Sequence, residues 1–302
     1  MVELLKEKFP GYQLVLSPER DKRPRVRQSV KCPFCPGHET LTPDTRARFP
    51  ETDKWQIRSF ENKYPVFPST GKKPLGYQEV VVETPDHEQR PEGYAEDHFF
   101  ALLRFVRQRM ETISREGRGC HYITWFKNEG HLAGATISHA HSQIVRLNFL
   151  PETLAKAYRR VRFAADRESG CPLCEKSHAE NALLEDKHYK LIVNPAGRLP
   201  FEMQIIPVVH VSHFEKTDER GLEHLAGVLR KAIGALTRAK PGVHYNIVLQ
   251  NGLYHKNWNF HWHIAIIPRL AQFAGLELAT GLHIMPMAPQ ESFAVLKKHL
   301  MR

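Results

Sequence analysis

One pattern of cysteines and histidines occurs twice along this chain, first as Cys32-Pro33-Phe34-Cys35, His87 and His139-Ala140-His141-Ser142-Gln143, and then as Cys171-Pro172-Leu173-Cys174, His210 and His261-Trp262-His263. His210 follows His87 by 123 residues, and His261 follows His139 by 122. A single CxxC or a single HxH is weak evidence for any site. Two copies in the same order at a nearly constant offset indicate a duplicated half-domain, in which each half carries one four-ligand metal site.

Each copy supplies two cysteines and two histidines, which is the ligand set of a closed, tetrahedral zinc site. We therefore expect structural zinc at two sites, with the ligands Cys32, Cys35, His87 and His139 in the first and Cys171, Cys174, His210 and His261 in the second. Alternative histidine ligands lie nearby at His38, His178, His188 and His213. A redox pair is the other interpretation of each CxxC, and the presence of two parallel copies favours zinc.

The composition is that of a globular protein, with 302 residues of which 41% are hydrophobic and 25% charged. No apolar run approaches the roughly 20 residues that span a bilayer. The first residues contain no signal-peptide core, so we expect a cytoplasmic protein without a membrane partner. A net charge of +10 favours anionic partners. A zinc-stabilised nucleic-acid-binding protein is one alternative, but the basic residues are scattered, and we expect no nucleic-acid partner.

Hydrophobic periodicity predicts the same series of elements in two halves, 1–150 and 151–302. Each half contains strands, one long helix and then two strands, which predicts duplicated α+β units, each an antiparallel sheet with a packed helix. Helices are expected at 95–114, at 217–239 and from about 289 to 300. Strands are expected at 55–58, 80–82, 122–126, 139–147, 189–193, 203–206, 245–249 and 261–267.

The stretch from His139 to Gln143 carries the chemistry that the sequence predicts. Alternate side chains of a strand share a face, so His139, His141 and Gln143 would line one side. If His139 binds a metal, His141 is held rigidly beside it, which suits a nucleophile or a general base. Gln143 could donate an amide hydrogen to a phosphate oxygen. Attack of imidazole on phosphorus gives a phosphoramidate, which splits a nucleotidyl transfer into two displacements.

The residues around that stretch predict that the backbone before the strand comes close to a ligand. Comparison of the two copies predicts that the second one does not catalyse. Gly134 lies in the turn before the strand and lets the backbone come close to a ligand. In the second copy, Ile264-Ala265 follows His263 where Ser142-Gln143 follows His141. Because that copy lacks the phosphate-binding amide, we expect His263 to shape a substrate site, in the first half or in a partner subunit, without taking part in transfer.

These residues resemble the galactose-1-phosphate uridylyltransferase family, a branch of the histidine-triad superfamily that is built from two such half-domains. The resemblance extends over nearly the whole chain and implies histidine-triad-like halves. It is carried by Cys32-Pro33-Phe34-Cys35-Pro36-Gly37, Glu61-Asn62-Lys63-Tyr64-Pro65, Thr84-Pro85-Asp86-His87, Lys127-Asn128-Glu129-Gly130, His139-Ala140-His141-Ser142-Gln143, His261-Trp262-His263 and Phe273-Ala274-Gly275-Leu276-Glu277. It also implies a homodimer whose substrates are nucleotide sugars and sugar phosphates.

The resemblance further implies a ping-pong nucleotidyltransferase in which His141 takes the nucleoside monophosphate covalently. Gln143 and Ser142 would then contact the transferred phosphate. Other residues match substrate contacts of the family, namely Asn128 near the phosphates, Asn62 near the ribose and base, and Phe273 and Glu277 at the hexose.

The choice of substrate depends on a few positions. Transfer of uridylyl groups from UDP-glucose to galactose 1-phosphate is the first expectation, because it is the commonest activity of the family. Lys63 after Asn62, and a second metal site built on CxxC, are more similar to the plant relative that phosphorolyses ADP-glucose. Adenylyl transfer to phosphate is therefore the main alternative. A nucleotide hydrolase of the wider histidine-triad group is a further one.

Overall fold

The computed structural model of the protein describes residues 3–6, 13–17, 31–67, 69, 74–116, 119–165, 170–174, 181–255 and 260–301. His178, one of the alternative metal ligands, lies outside these ranges. Within them, no helix is both long enough and apolar enough to span a bilayer.

An antiparallel sheet of ten strands forms the centre of the protein. The described strands are β1 (Glu3–Lys6), β2 (Gln13–Leu16), β3 (Thr45–Phe49), β4 (Ile57–Glu61), β5 (Gly76–Val82), β6 (Tyr122–Glu129), β7 (His141–Leu147), β8 (Ala182–Glu185), β9 (Tyr189–Val193), β10 (Met203–Pro207), β11 (Tyr245–Gln250) and β12 (His263–Pro268). β1 and β2 pair only with each other among these strands, and the others follow the order β3-β4-β5-β7-β6-β11-β12-β10-β9-β8. The prediction of an α+β fold with antiparallel sheets is confirmed.

Two long amphipathic helices pack against each other and against the sheet. The described helices are α1 (Glu96–Glu116), α2 (Glu152–Ala165), α3 (Glu219–Ala239), α4 (Gly275–Thr280) and α5 (Pro289–Leu300). α1 and α3 bury the apolar positions that recur every three or four residues, so the two helices and the sheet share one hydrophobic core. Asp218 caps α3 by accepting a hydrogen bond of 2.7 Å from the backbone N–H of Gly221.

The two halves of the chain build matching halves of the sheet. In the first half the strand order is β4-β5-β7-β6, and in the second it is β9-β10-β12-β11. The halves join where β6 pairs with β11, with Val248 opposite Phe126. The two halves of the sheet thus share one strand order, and the sheet is continuous across the join.

Both strands that carry the paired histidines begin two residues later than predicted. β7 begins at His141 and β12 at His263, so His139 and His261 precede the strands in which the sequence analysis placed them. The sequence analysis also did not predict α2, which occupies the expected boundary between the halves, or the strands β3 and β8 at the two ends of the sheet. Edge strands pair on one side only, so their apolar pattern is weak.

A buried ion pair joins α1 to the centre of the sheet. Arg109 donates from Nε and Nη2 to the two carboxylate oxygens of Glu79 at 2.8 and 2.9 Å, and Glu79 is fully buried. Tyr77 donates its hydroxyl to the same carboxylate at 3.0 Å. Although burial opposes the charged form, these contacts with Glu79 raise the pKa of Arg109. The carboxylate is therefore stable here only while its donors are present.

Replacing Arg109 by methionine should lower the free energy of unfolding by about 3–5 kcal/mol, because it leaves a buried carboxylate without its cation. Arg115→Met is the matched control on the same helix, since the side chain of Arg115 is 80% exposed and contacts Glu111 at only 3.8 Å. That control should cost less than about 0.5 kcal/mol. Urea denaturation measures both values, and equal losses would contradict the assignment.

Candidate active site and metal centres

The first CxxC and two distant histidines converge on one point. The Sγ atom of Cys32 lies 3.7 Å from Nδ1 of His139, and Sγ of Cys35 lies 3.6 Å from that atom and 3.5 Å from Nδ1 of His87. All four ligand atoms of this group lie within 4.8 Å of one another. The structure thus brings together the four ligands that the spacing predicted for the first site.

The geometry of this group fits a tetrahedral zinc ion. Zinc–sulfur bonds of about 2.3 Å and zinc–nitrogen bonds of about 2.0–2.1 Å separate sulfur and nitrogen by about 3.5 Å at a tetrahedral angle. Burial, together with Cys32, raises the pKa of Cys35 to about 11, so a thiolate at this position needs a cation beside it. Nε2 of His139 donates to the carbonyl of Thr84 at 2.7 Å, which leaves Nδ1 as the ligand atom.

The second group has the same arrangement. Sγ of Cys174 lies 3.2 Å from Nδ1 of His210 and 3.4 Å from Nδ1 of His261, and Sγ of Cys171 lies 3.7 Å from His261. Again the four ligand atoms lie within 4.8 Å of one another. Two Cys2His2 groups therefore could bind metal ions, and both donor sets are consistent with zinc.

The alternative histidine ligands within the described residues have other contacts. Nδ1 of His38 lies 2.8 Å from the backbone carbonyl of Cys32 and does not belong to the first Cys2His2 group. Nδ1 of His213 lies 2.8 Å from the hydroxyl of Ser212. The ring of His188 lies 4.0 Å from that of His224. None of the three joins either Cys2His2 group.

His141 follows His139 of the first Cys2His2 group by two residues, and the backbone of His139 sets the orientation of its ring. Nδ1 of His141 donates to the carbonyl of His139 at 2.8 Å, so the lone pair of the neutral ring is on Nε2. The ring of Phe34 packs edge-on against it, with centroids 5.2 Å apart. His141 lines a cavity of about 170 Å³ whose other walls are largely apolar, including Phe34, Phe60 and Ile137. A planar base fits such a wall.

Three side-chain amides meet on the polar side of this cavity. Oε1 of Gln143 accepts hydrogen bonds from Nε2 of Gln78 at 2.6 Å and from Nδ2 of Asn62 at 3.4 Å. Because the oxygen of Gln143 is occupied in this way, its amide N–H groups remain the donors for a ligand. Gln78 is a site residue that the sequence analysis did not single out, although it lies in the strand segment that leads to His87.

Asn128 and Gly134 lie on the other side of His141. Asn128 and His141 line a neighbouring cavity of about 260 Å³, and Oδ1 of Asn128 accepts a hydrogen bond of 2.8 Å from Asn246. Gly134 has a φ of 92°, and an added Cβ there would lie 3.7 Å from the side-chain nitrogen of Asn128. Gly130 has a φ of 81°, and an added Cβ would collide with the ring of His244. This turn therefore requires glycine at both positions.

Five of the predicted catalytic and substrate-binding residues do not line the two cavities that contain His141, namely Gly134, Ser142, His263, Phe273 and Glu277. Ser142 points to the opposite face of β7, where its hydroxyl is buried and has no hydrogen-bond partner among the described residues. Phe273 is 41% exposed, and Glu277 accepts a hydrogen bond of 3.0 Å from the backbone of Ala274 at the start of α4. His263 lines a separate cavity in the second half.

A buried cluster of charges supports the histidine stretch from the helix side. Nζ of Lys127 donates to Glu83 at 2.8 Å and lies 3.1 Å from Glu129, and it also donates to the carbonyl of His141 at 3.3 Å. The backbone N–H of Glu83 donates to the carbonyl of Ala140 at 3.1 Å. Although burial opposes the charged form, the two carboxylates raise the pKa of Lys127. The cluster thus holds the backbone of Ala140 and His141, the two residues that follow His139.

Comparison with known proteins gives relatives along the whole chain. A family model described as "Domain of unknown function (DUF4931) N-terminal domain" matches residues 19–150. The chain is 28% identical to an ADP-glucose phosphorylase of Arabidopsis thaliana, over 98% of this chain and 92% of that protein. It is 25% identical to a galactose-1-phosphate uridylyltransferase of Thermotoga maritima, over 99% of this chain and 98% of that protein. The resemblance to the galactose-1-phosphate uridylyltransferase family is confirmed.

The same relationship holds for the structure. A crystal structure of an ADP-glucose phosphorylase from Arabidopsis thaliana with bound ADP-glucose matches this fold with a TM-score of 0.83, at 27% identity and over 99% of both chains. The match therefore covers both halves of the sheet.

Metal content tests the two groups independently. We expect about two zinc ions per chain, and one after either Cys35→Ser or Cys174→Ser, because each variant removes one ligand from one closed site. Cys120→Ser is the matched control, since Cys120 is buried and belongs to neither group. Inductively coupled plasma mass spectrometry measures the stoichiometry. Loss of a metal ion from the control, or none from the two ligand variants, would contradict the assignment.

Proposed function

We propose that this protein is a nucleotidyltransferase that moves a nucleoside monophosphate from a nucleotide sugar to a phosphate acceptor through a covalent bond to His141. The observation that carries the proposal is the orientation of His141. Its Nδ1 donates a hydrogen bond to the carbonyl of His139. The ring of His139, in turn, belongs to the first Cys2His2 group. The ring is held from one side and offers Nε2 as nucleophile in a cavity next to Gln143.

The proposed reaction has two displacements. In the first, the lone pair of Nε2 attacks the α-phosphorus, the N–P bond forms, and the bond to the β-phosphate oxygen breaks to release a sugar phosphate. The N–H groups of Gln143 stabilise the charge that develops on the transferred phosphoryl oxygens. In the second, an oxygen of the acceptor phosphate attacks phosphorus, and the N–P bond breaks to restore neutral His141. Bound zinc would supply rigidity to the segment that carries His141.

An adenine nucleotide sugar with phosphate as acceptor is the substrate pair that we favour. Lys63 and the second CxxC were the sequence features that pointed to the ADP-glucose-dependent relatives, and the phosphorylase from Arabidopsis thaliana is 28% identical to this chain. Uridylyl transfer to galactose 1-phosphate, the first expectation from sequence, is the second candidate. It is supported by 25% identity over nearly all of a uridylyltransferase.

Intact-protein mass spectrometry after incubation with ADP-glucose or with UDP-glucose, without acceptor, tests the function and the donor together. We expect the mass of one adenylyl group with ADP-glucose, stable in base and lost in acid as a phosphoramidate is. The adduct should be absent in His141→Ala, which lacks the nucleophile.

His121→Ala is the control, because His121 is exposed and lines neither cavity that contains His141. A uridylyl adduct alone would select the second candidate. Equal labelling of His141→Ala would contradict the covalent role, and release of free monophosphate without acceptor would indicate a hydrolase.

We also propose that the protein is a homodimer that uses the segment around α4. Large apolar side chains are exposed there, namely Phe273, Leu276, Leu278, Leu282 and Ile284. A contiguous group of this kind is typical of a surface that a second molecule covers. Phe273 and Glu277 would then contact the hexose from the partner subunit, which is why neither lines a cavity with His141 within one chain.

Leu278→Asp should convert a dimer to a monomer, because it places a charge in the centre of that apolar surface. The exposed fraction of Leu278 is 77%. Met301→Asp is the matched control, since Met301 is 76% exposed but lies at the end of the chain. Sedimentation velocity measures both. A monomeric unsubstituted protein, or a dimer that survives Leu278→Asp, would contradict the proposal.

A further inference from the structure

The second half contains a cavity that has no role in the proposed reaction. It has a volume of about 380 Å³ and lies beside the second Cys2His2 group, between α2 and the face of β10, β11 and β12. His263 lines it at the position that His141 takes in the first half. Nδ1 of His263 lies 3.2 Å from the carbonyl of His261, as Nδ1 of His141 does from that of His139 at 2.8 Å. The duplication has therefore kept the ring orientation.

The strand register shows that the second cavity has also kept an amide, on the neighbouring strand. In the first half, Val80 of β5 lies opposite Gln143 of β7. In the second half, Gln204 of β10 lies opposite Ala265 of β12. Opposite residues in an antiparallel pair share a face. The amide therefore lies on the histidine-bearing strand β7 in the first half and on the neighbouring strand β10 in the second, and the apolar side chain lies on the other strand of each pair. Both members of the second pair line the cavity.

Further polar groups complete one wall of the cavity. Gln250 lies opposite His263, which places a second amide beside the ring. The guanidinium-bearing Arg198 lies at the edge of the cavity and is exposed. Glu202 also lines the cavity, but its two oxygens accept hydrogen bonds from Asn194 at 2.8 Å and from the backbone of Arg198 at 3.0 Å. A cation and two amides therefore face a ligand here.

The opposite wall is apolar and aromatic, and α2 supplies much of it. Tyr158 and Phe260 stack with ring centroids 4.5 Å apart, and both line the cavity together with Leu154 and Val161. An apolar wall that faces a wall of amides and a guanidinium suits a planar base joined to a phosphate. An ordinary hydrophobic cofactor would leave the amides unpaired.

We propose that this cavity is a second nucleotide site, which binds a nucleoside 5′-monophosphate without transferring it. The absence of transfer follows from Ala265, which has no side-chain N–H group at the position where Gln143 would stabilise the phosphoryl oxygens. The inference rests on the proposed function, since it takes the first half as a nucleotide-binding unit whose duplicate has kept binding and lost chemistry.

Equilibrium dialysis of the zinc-loaded protein against radiolabelled AMP and UMP counts the sites directly. We expect two molecules of one nucleotide per chain. The double variant Arg198→Ala/Gln204→Leu should bind one, with the affinity of the second site reduced at least tenfold. It should form the His141 adduct within about twofold of the normal rate, because both substitutions lie outside the cavities of His141.

A parallel dialysis uses Val80→Phe, which fills the first cavity at the position that corresponds to Gln204 in the second half. This variant should also bind one molecule per chain. That molecule should occupy the second cavity, which is the site that Arg198→Ala/Gln204→Leu removes. One molecule per chain in the unsubstituted protein, unaffected by Arg198→Ala/Gln204→Leu, would overturn the inference and leave the proposed function intact. One molecule per chain that the double variant abolishes would instead support the second site and contradict the proposed function. Full displacement by inorganic phosphate would overturn a nucleotide site in favour of an anion site.

Discussion

The arrangement of the site depends on two separate contacts of His139, one made by its ring and one by its backbone carbonyl. Its ring joins Cys32, Cys35 and His87, while its carbonyl accepts the hydrogen bond that orients His141. A metal ligand is held within tenths of an ångström, and the adjacent peptide inherits that precision. In the proposed reaction, the hydrogen bond from His141 to that peptide would therefore help to orient the nucleophile. This separation of roles explains why a structural metal group lies so close to a cavity that suits a nucleotide.

The buried cluster around Lys127 provides the second restraint on the same segment. It holds the carbonyl of His141, while Glu83 holds the backbone of Ala140 from the neighbouring strand. Such a cluster is costly to bury, and the ion pairs of Lys127 with Glu83 and Glu129 offset part of that cost. A displacement of β7 would remove the hydrogen bond that Lys127 donates to the carbonyl of His141. The cluster and the Cys2His2 group thus restrain neighbouring residues of one segment, the cluster Ala140 and His141 and the Cys2His2 group His139.

The two halves of the chain contain centres with the same geometry. The Cys2His2 groups and the ring–carbonyl hydrogen bonds are present in both halves. What differs is the pair of residues after the second histidine, Ser142-Gln143 in one half and Ile264-Ala265 in the other. Because phosphoryl transfer needs donors at the transferred group, the proposed transfer would be confined to the half that carries Gln143.

The features that could be predicted from sequence are those with short, periodic or repeated signals. The spacing of CxxC, His and HxH was enough to predict the two groups of cysteines and histidines that lie together in the structure, and the long helices followed from their apolar faces. The beginning of β7 was predicted wrongly because alternation alone assigned His139 to the strand, whereas its ring turns away to the cysteines. Lys127 and Glu83 were not predicted as a cluster, since partners 44 residues apart carry no local signal. Gln78 was missed for the same reason.

The rate of nucleotidyl labelling of His141 in Cys35→Ser, compared with Cys174→Ser, tests the central claim most directly. Both variants remove one cysteine from a Cys2His2 group, and near-UV circular dichroism establishes that each retains its tertiary packing. The account predicts that Cys35→Ser labels about 100-fold more slowly, because a displacement of about 1 Å at the nucleophile costs that much. Cys174→Ser should label at the normal rate. Normal labelling of Cys35→Ser would show that the first metal group does not orient His141.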